Sequence, residues 1–258
     1  MELRWKKSLG QHLLHDRNIL KKIVSALPLT GSENVVEIGC GTGVLTDLLV
    51  REPVRITGIE LDKQFFDILR DKFSGQNNFR LITGNFLTLD LREVFPEDKK
   101  TLVVGNLPYN VTSQILFRLF SFREYIESVT VMMQKEVSRR ITAKVRTKDR
   151  GILSVVCQFH AEPEVLFPVS RNCFYPRPNV DSAVVALKFR NIPGDVDPDL
   201  FFRLVKTCFG KRRKQLRNSI SIIDEADIGR LEPDFDLDRR PEELEVHEFA
   251  DLTRTIFG

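Results

Sequence analysis

The apolar positions of this chain change period along its length. Over residues 16–27, Ile19, Leu20, Ile23, Val24 and Leu27 recur at helical spacing behind Asp16, a residue type that caps helix N-termini. From residue 34 onward, short β-branched runs alternate with helical stretches. Residues 34–38, 54–60, 79–83, 101–105 and 128–133 read as strands. Residues 42–51, 62–73 and 112–120 carry helical patterns between them. This alternation predicts an α/β fold with a mostly parallel sheet and helices on both faces. Two later strand-like runs, 164–169 and 182–190, fit a hairpin at the end of that sheet. The segment 191–198 (NIPGDVDP) reads as a linker, and beyond it the pattern is helical only. The predicted organisation is an α/β domain over residues 1–190 and a small all-helical domain over 197–258.

Composition excludes more than it identifies. The 258 residues are 42% hydrophobic and 29% charged, ordinary for a globular protein. No run of about 18 apolar residues is present, so no membrane-spanning helix is expected. The first 25 residues lack an apolar signal core, so secretion is not expected and a cytoplasmic location is. Cys40, Cys157, Cys173 and Cys208 form no CxxC pair and read as free thiols. The four histidines give no HExxH motif, so no metal site is expected.

Candidate chemistry begins at Glu37-Ile38-Gly39-Cys40-Gly41-Thr42-Gly43, a strand running into a glycine-rich turn. Glycines serve where backbone turns sharply or approaches a ligand closely. Val44 stands where a dinucleotide fingerprint needs its third glycine, and no Gly-Lys-Ser/Thr ending marks a P-loop. The remaining ExGxGxG pattern resembles the cofactor loop of class I S-adenosylmethionine-dependent methyltransferases. Glu60, 17 residues after Gly43, ends the next strand and can accept both hydroxyls of an adenosine ribose. Asp62 is assigned to capping the following helix. Asn85 ends the third strand, where the methyltransferase pattern usually has Asp to bind the cofactor's adenine. Its side-chain oxygen accepts the same hydrogen bond without charge.

After the fourth strand comes Asn106-Leu107-Pro108-Tyr109. It resembles the (Asn/Asp/Ser)-x-Pro-Tyr motif of methyltransferases acting on exocyclic amines. The lone pair of adenine N6 is delocalised into the ring, so the amine is a weak nucleophile. The Asn106 side-chain oxygen and the Leu107 carbonyl can accept from its two N–H groups and draw density back to nitrogen. Pro108 fixes the turn and Tyr109 can stack on the base. A plain proline turn with a core tyrosine is the competing interpretation; the register behind the glycine loop favours the chemical one.

Further segments narrow the resemblance. Gly10-Gln11-His12-Leu13-Leu14, Gln134-Lys135-Glu136-Val137, and Phe174-Tyr175-Pro176-Arg177-Pro178-Asn179-Val180-Asp181-Ser182 are similar to segments of the ribosomal RNA adenine dimethyltransferases. So is the basic run 209–218. The resemblance covers nearly the whole chain and implies a Rossmann-like class I S-adenosylmethionine-dependent core. It also implies a helical C-terminal domain that recognises rRNA. The product cofactor would be S-adenosylhomocysteine. By position, the cofactor contacts would be Gln11, His12, Leu14, Gly39, Gly41, Gly43, Glu60, Leu61, Asn85, Phe86 and Asn106. Asn106, Leu107, Pro108 and Tyr109 would be catalytic, with Phe174 clamping the base opposite Tyr109. The macrolide-resistance methyltransferases of large-subunit rRNA and the mitochondrial transcription-factor relatives fit less well. The implied activity is N6,N6-dimethylation of two adjacent adenosines near the 3′ end of small-subunit rRNA, with a role in subunit biogenesis. An assembly factor with little need of catalysis, and a methyltransferase acting on DNA or large-subunit rRNA, are the competing classes.

The net charge of +3 hides a block pattern. Residues 135–150 carry seven basic groups and two acids, residues 203–217 seven and none, and residues 224–258 four and twelve. The basic blocks nominate Arg139, Arg140, Lys144, Arg146, Lys148, Lys211, Arg212, Arg213, Lys214 and Arg217 as RNA contacts, since phosphate contacts supply affinity and register. Arg150 ends the first block. The acidic terminus reads as a solvated helical face. The expected partner is small-subunit rRNA or an immature small subunit, bound by a monomer with no metal and no membrane.

Overall fold

The computed structural model describes residues 11–31, 33–96, 99–210 and 214–258. In chain order the strands and helices are β1 (Leu13–Leu14), α1 (Arg17–Ser25), β2 (Asn34–Ile38), α2 (Thr46–Leu49) and β3 (Arg55–Glu60). Then come α3 (Phe66–Phe73), β4 (Phe79–Thr83), β5 (Thr101–Asn106), α4 (Thr112–Ser121) and β6 (Ile126–Gln134). They are followed by α5 (Lys135–Ile141), α6 (Ile152–His160), β7 (Ala161–Val169), β8 (Phe174–Tyr175) and β9 (Ser182–Phe189). The remaining helices are α7 (Pro198–Gly210), α8 (Leu216–Ile220), α9 (Ile228–Leu231) and α10 (Val246–Phe257).

Seven strands form one sheet in the order β4-β3-β2-β5-β6-β9-β7. The pairs from β4 to β6 are parallel, and β9 runs antiparallel to β6. The central strands are apolar along their length because both faces are covered: Leu102, Val103 and Val104 of β5 are fully buried. Successive connections run outward from β2 in both directions. That leaves a crevice at the carboxyl ends of β2, β3 and β5, where open α/β sheets bind ligands. The two late strand-like runs lie side by side at the sheet's end, as the pattern predicts, although β8 interrupts their connection.

Local signals placed most elements. Asp16 Oδ1 accepts from the N–H groups of Asn18 (2.9 Å) and Ile19 (3.2 Å), so α1 starts where its cap predicts. Asp62 caps the short 3-10 turn Lys63–Phe65 that leads into α3. The helix expected over 42–51 is the exception. Only Thr46–Leu49 is α-helical, and the glycine loop continues as turns through residue 45. The cause is visible at Gly41 and Gly43, whose φ angles are +54° and +71°. A Cβ on Gly43 would sit 2.7 Å from the Phe73 ring of α3, so this glycine also lets the loop lie against that helix.

The chain groups into two compact units that do not follow it linearly. One contains the chain up to Ser138 with Glu164–Phe189; the other contains Arg139–Pro163 with Arg190–Gly258. A single break near residue 190 therefore describes only the last of three crossings. Residues 139–163, expected in the α/β domain, belong by contact to the helical unit. Arg150, 1% exposed, shows why. Its guanidinium donates to the carbonyls of Ala143 (3.1 Å) and Leu244 (2.7 Å) and to Gln158 Oε1 (3.1 Å). Phe159 stacks on Phe201 in the same unit at 3.8 Å. Among the described residues, no helix is long and apolar enough to cross a membrane.

Candidate active site

One cavity of the sheet unit opens at the carboxyl ends of the parallel strands. It spans about 840 Å³ of atom-free space, part of it open solvent. Four strand ends build it: Gly39 and Gly41 after β2, Glu60 and Leu61 at β3, Gly84–Phe86 after β4, and Asn106–Tyr109 at β5. Gln11, His12 and Leu13 close one side.

Glu60 is the electrostatic centre of one half of the cavity. Its Oε2 accepts from Gly41 N–H at 2.7 Å, and its Oε1 from the N–H groups of Leu61 and Asp62 at 2.8 Å each. Burial pushes its carboxyl up, and these three donors pull it down. Below it, Glu37 is buried and accepts a hydrogen bond from Thr46 Oγ1 at 2.6 Å. Desolvation pushes Glu37 up to about 7. Gln11 Nε2 donates to Asp62 Oδ2 at 2.6 Å, tying the N-terminal segment to the end of β3. Asn85 Oδ1 accepts from Leu87 N–H at 3.0 Å while lining the cavity.

Asn106 lines the other half of the cavity. Its Nδ2 donates to the His12 carbonyl at 2.7 Å, which fixes the amide orientation, since the oxygen in that place would face another oxygen. Its Oδ1 is buried with no hydrogen-bond partner. A buried unpaired acceptor is costly, so one retained at a cavity wall marks a place for a donor. Leu107 N–H donates to the Met132 carbonyl on β6, and the Pro108 carbonyl accepts from Thr112 Oγ1 at 2.9 Å. The Asn106–Tyr109 turn is thus pinned to the sheet and to α4. The Tyr109 ring stacks on His12 at 5.3 Å, and its hydroxyl meets Ser182 Oγ at 2.6 Å.

Of the expected site residues, Gln11, His12, Gly39, Gly41, Glu60, Leu61, Asn85, Phe86, Asn106, Leu107, Pro108 and Tyr109 all line this cavity. Three do not. Leu14 is 4% exposed in the hydrophobic core. It lies on β1, where successive side chains alternate faces, so Leu13 takes the cavity side. Gly43 packs against Phe73 and Leu69 rather than lining the cavity. Phe174 is 2% exposed and belongs to the same core cluster as Leu14, its partner in the β1–β8 ladder. It therefore does not face Tyr109 across the cavity, and Tyr175, 62% exposed, is the accessible aromatic of that segment. The sequence reading missed the apolar lining from Leu13, Ile59, Phe65, Val111 and Ile115. Those residues carry no motif; only the strand and helix register shows them. It also missed Ser182, although its motif contained it.

In the helical unit, Arg139, Arg140, Lys144, Arg146 and Lys148 are exposed, as is Lys214. Arg146 and Lys214 line one cleft together, so the fold joins two blocks that are far apart in sequence. Lys211, Arg212 and Arg213 lie outside the described residues. Two further members of the basic blocks are engaged within the fold. Arg150 is internal. The guanidinium of Arg217 pairs with Glu232 and, at 3.7 Å, with Asp238, which leaves it little charge to offer a phosphate. The acidic terminus is not simply a solvated face. Arg203 pairs with Glu225 at 2.8 Å, Arg239 with Glu248 at 2.5 Å, and Arg254 with Asp195 at 2.7 Å and Asp251 at 2.5 Å.

Comparison with known proteins agrees with this geometry. A solved dimethyladenosine transferase from Plasmodium falciparum superposes with a TM-score of 0.81 at 26% identity, covering 93% of this chain and 96% of that one. The 23S rRNA methyltransferase ErmE gives 0.70 at 26% identity, covering 95% and 99%. The ribosomal RNA small subunit methyltransferase A of Flavobacterium johnsoniae is 41% identical over 99% of this chain and 97% of its own length. That of Geobacillus thermodenitrificans is 39% identical over 98% and 91%. The family model for ribosomal RNA adenine dimethylase matches residues 2–249. With a motif-bearing cavity at the expected strand ends, the chain belongs to the ribosomal RNA adenine dimethylase family.

Proposed function

We propose that this protein dimethylates N6 of two adjacent adenosines in a hairpin loop near the 3′ end of small-subunit (16S) rRNA, and acts in small-subunit biogenesis in the cytoplasm. S-adenosyl-L-methionine is the donor and S-adenosylhomocysteine the product. The observation that carries this reading is the buried, unpartnered Oδ1 of Asn106, in the same cavity as the glycine loop and Glu60. The residues present fit the cofactor. Gly39 and Gly41 expose backbone where a side chain would intrude, and a Cβ on Gly41 would already sit 2.7 Å from Leu13. Glu60 Oε2 accepts only one backbone N–H and keeps acceptor capacity for a hydroxyl, whereas Oε1 already accepts two. The cofactor supplies an electrophilic methyl group.

The protein's own part is positioning and electrostatics. Asn106 Oδ1 and the Leu107 carbonyl accept from the two N–H groups of the target amine, which pyramidalises nitrogen and frees its lone pair. Tyr109 stacks on the base, which has left the helical stack to enter the cavity. The methylated nitrogen is an acidic cation and loses its proton to water, so no strong base is required. The exposed cations of the helical unit contact RNA phosphates. The protein works as a monomer.

The test is radiolabelled methyl transfer to unmethylated small-subunit particles, naked rRNA and DNA in parallel. Label in N6,N6-dimethyladenosine of the particles or rRNA is expected. Label confined to DNA or large-subunit rRNA would sink the assignment.

A further inference from the structure

The strongest unabsorbed contact in the sheet unit is between two hydroxyls. Ser182 opens β9 opposite Gln134 and is fully buried, yet it is polar. A buried hydroxyl needs a partner, and here the partner is Tyr109 OH at 2.6 Å. The two residues are 73 apart in sequence. Tyr109 is held in a second way. Its ring stacks on His12 with planes 30° apart, and the His12 ring is fixed by a hydrogen bond from Nδ1 to the Pro176 carbonyl at 2.7 Å. The His12 carbonyl also accepts from Asn106.

A tyrosine ring that only stacks is free to turn about its side-chain bonds. A hydroxyl bond at its tip and an aromatic neighbour on one face together set the ring plane. In a site whose work is positioning, that plane decides how the base lies against the Asn106 oxygen.

We infer that Ser182 is a positioning residue: its hydroxyl, with the His12 ring, presets the plane of Tyr109 before a base arrives. This rests on the function proposed above, in which Tyr109 is a wall of the amine-binding site. Ser182 itself touches neither base nor cofactor. The strand β9 thereby connects the segment 174–182 to the reacting group.

The experiment compares Ser182→Ala, Tyr109→Phe and the double variant. Each single variant removes one side of the same bond. A fall of about fivefold in kcat is expected for each, the equivalent of one ordinary hydrogen bond. Cofactor Kd by calorimetry should stay within about twofold. The double variant should be no worse than either single one, because the bond is lost only once. Additive losses, or an unchanged kcat in Ser182→Ala, would overturn the inference. If Ser182→Ala does not fold, Tyr109→Phe still reads the bond, and wild-type kcat in that variant would overturn it equally.

A second readout needs no turnover. Burial already raises the Tyr109 phenol and the Ser182 hydrogen bond opposes that rise. Ultraviolet titration of the chain's three tyrosines, with Tyr109→Phe assigning the step, should show Tyr109 titrating still higher in Ser182→Ala. An unmoved step would also overturn the inference. Because this readout is independent of methyl transfer, it survives even if the substrate assignment fails.

Discussion

The cavity of the sheet unit and the basic surface of the helical unit treat their polar groups in opposite ways. At the cavity, backbone N–H groups converge on Glu60 and the Asn106 oxygen is left without a partner. In the helical unit, arginines are paired off: Arg203, Arg217, Arg239 and Arg254 each meet an acid. A chemical site needs an unmet acceptor aimed at a defined atom. A phosphate-binding surface needs only exposed charge, and its specificity comes from elsewhere. The block of acids at the chain's end thus selects which cations stay available, removing Arg217 and leaving residues such as Lys144.

The sharpest way to break this contrast is Asn106→Ala. Turnover should fall at least a hundredfold, about 3 kcal/mol of lost electrostatic stabilisation, with cofactor affinity by calorimetry little changed. Normal dimethylation by that variant would remove the unpaired oxygen from the mechanism. Next is Arg150→Ala, which strands two carbonyls and Gln158 Oε1 inside the helical unit. A loss of about 3 kcal/mol in urea unfolding is expected. An unchanged midpoint would mean that the unit does not depend on this strut.

Glu37→Gln probes the glycine loop from below. In the unfolded chain this carboxyl ionises near its ordinary value of 4.5; folded, it is held up to about 7. The unfolded state therefore releases its proton first. The stability tied to Glu37 is fully present below the lower value, falls as pH rises between the two, and stays lost above the upper one. The drop is roughly 3 kcal/mol. The glutamine variant keeps an acceptor for Thr46 and should flatten that fall in denaturant titrations across this range. An identical slope in both proteins would place the charge burden elsewhere. The smallest effect concerns the surface. Lys144→Ala should weaken RNA binding evenly across sequences and lower the salt slope by about one, whereas Arg217→Ala should barely change that slope. Equal effects of the two would contradict the pairing seen here.

Legibility in the sequence followed the range of the interaction involved. Helix α1 was readable because Asp16 caps it and its apolar face recurs at helical spacing; the parallel strands were readable from their β-branched runs. The placement of the glycine-loop and Asn106–Tyr109 motifs at the cavity was readable because each occupies one strand end and the turn after it. Leu14 and Phe174 were misread because a motif gives position but not facing. They pair across a two-stranded ladder that turns both into the core. The helix after the glycine loop was overextended because three left-handed glycines, Gly39, Gly41 and Gly43, delay it.

By itself, the sequence determined the α/β alternation, the strand ends that line the cavity, and the family. These rest on local preferences and on contiguous motifs. Tertiary structure alone decided that Arg150 is internal, that Arg217 is paired with acids, that residues 139–163 join the helical unit, and that Ser182 meets Tyr109. Each of those depends on groups brought together from distant parts of the chain, where burial and pairing, rather than residue type, set what a side chain can do.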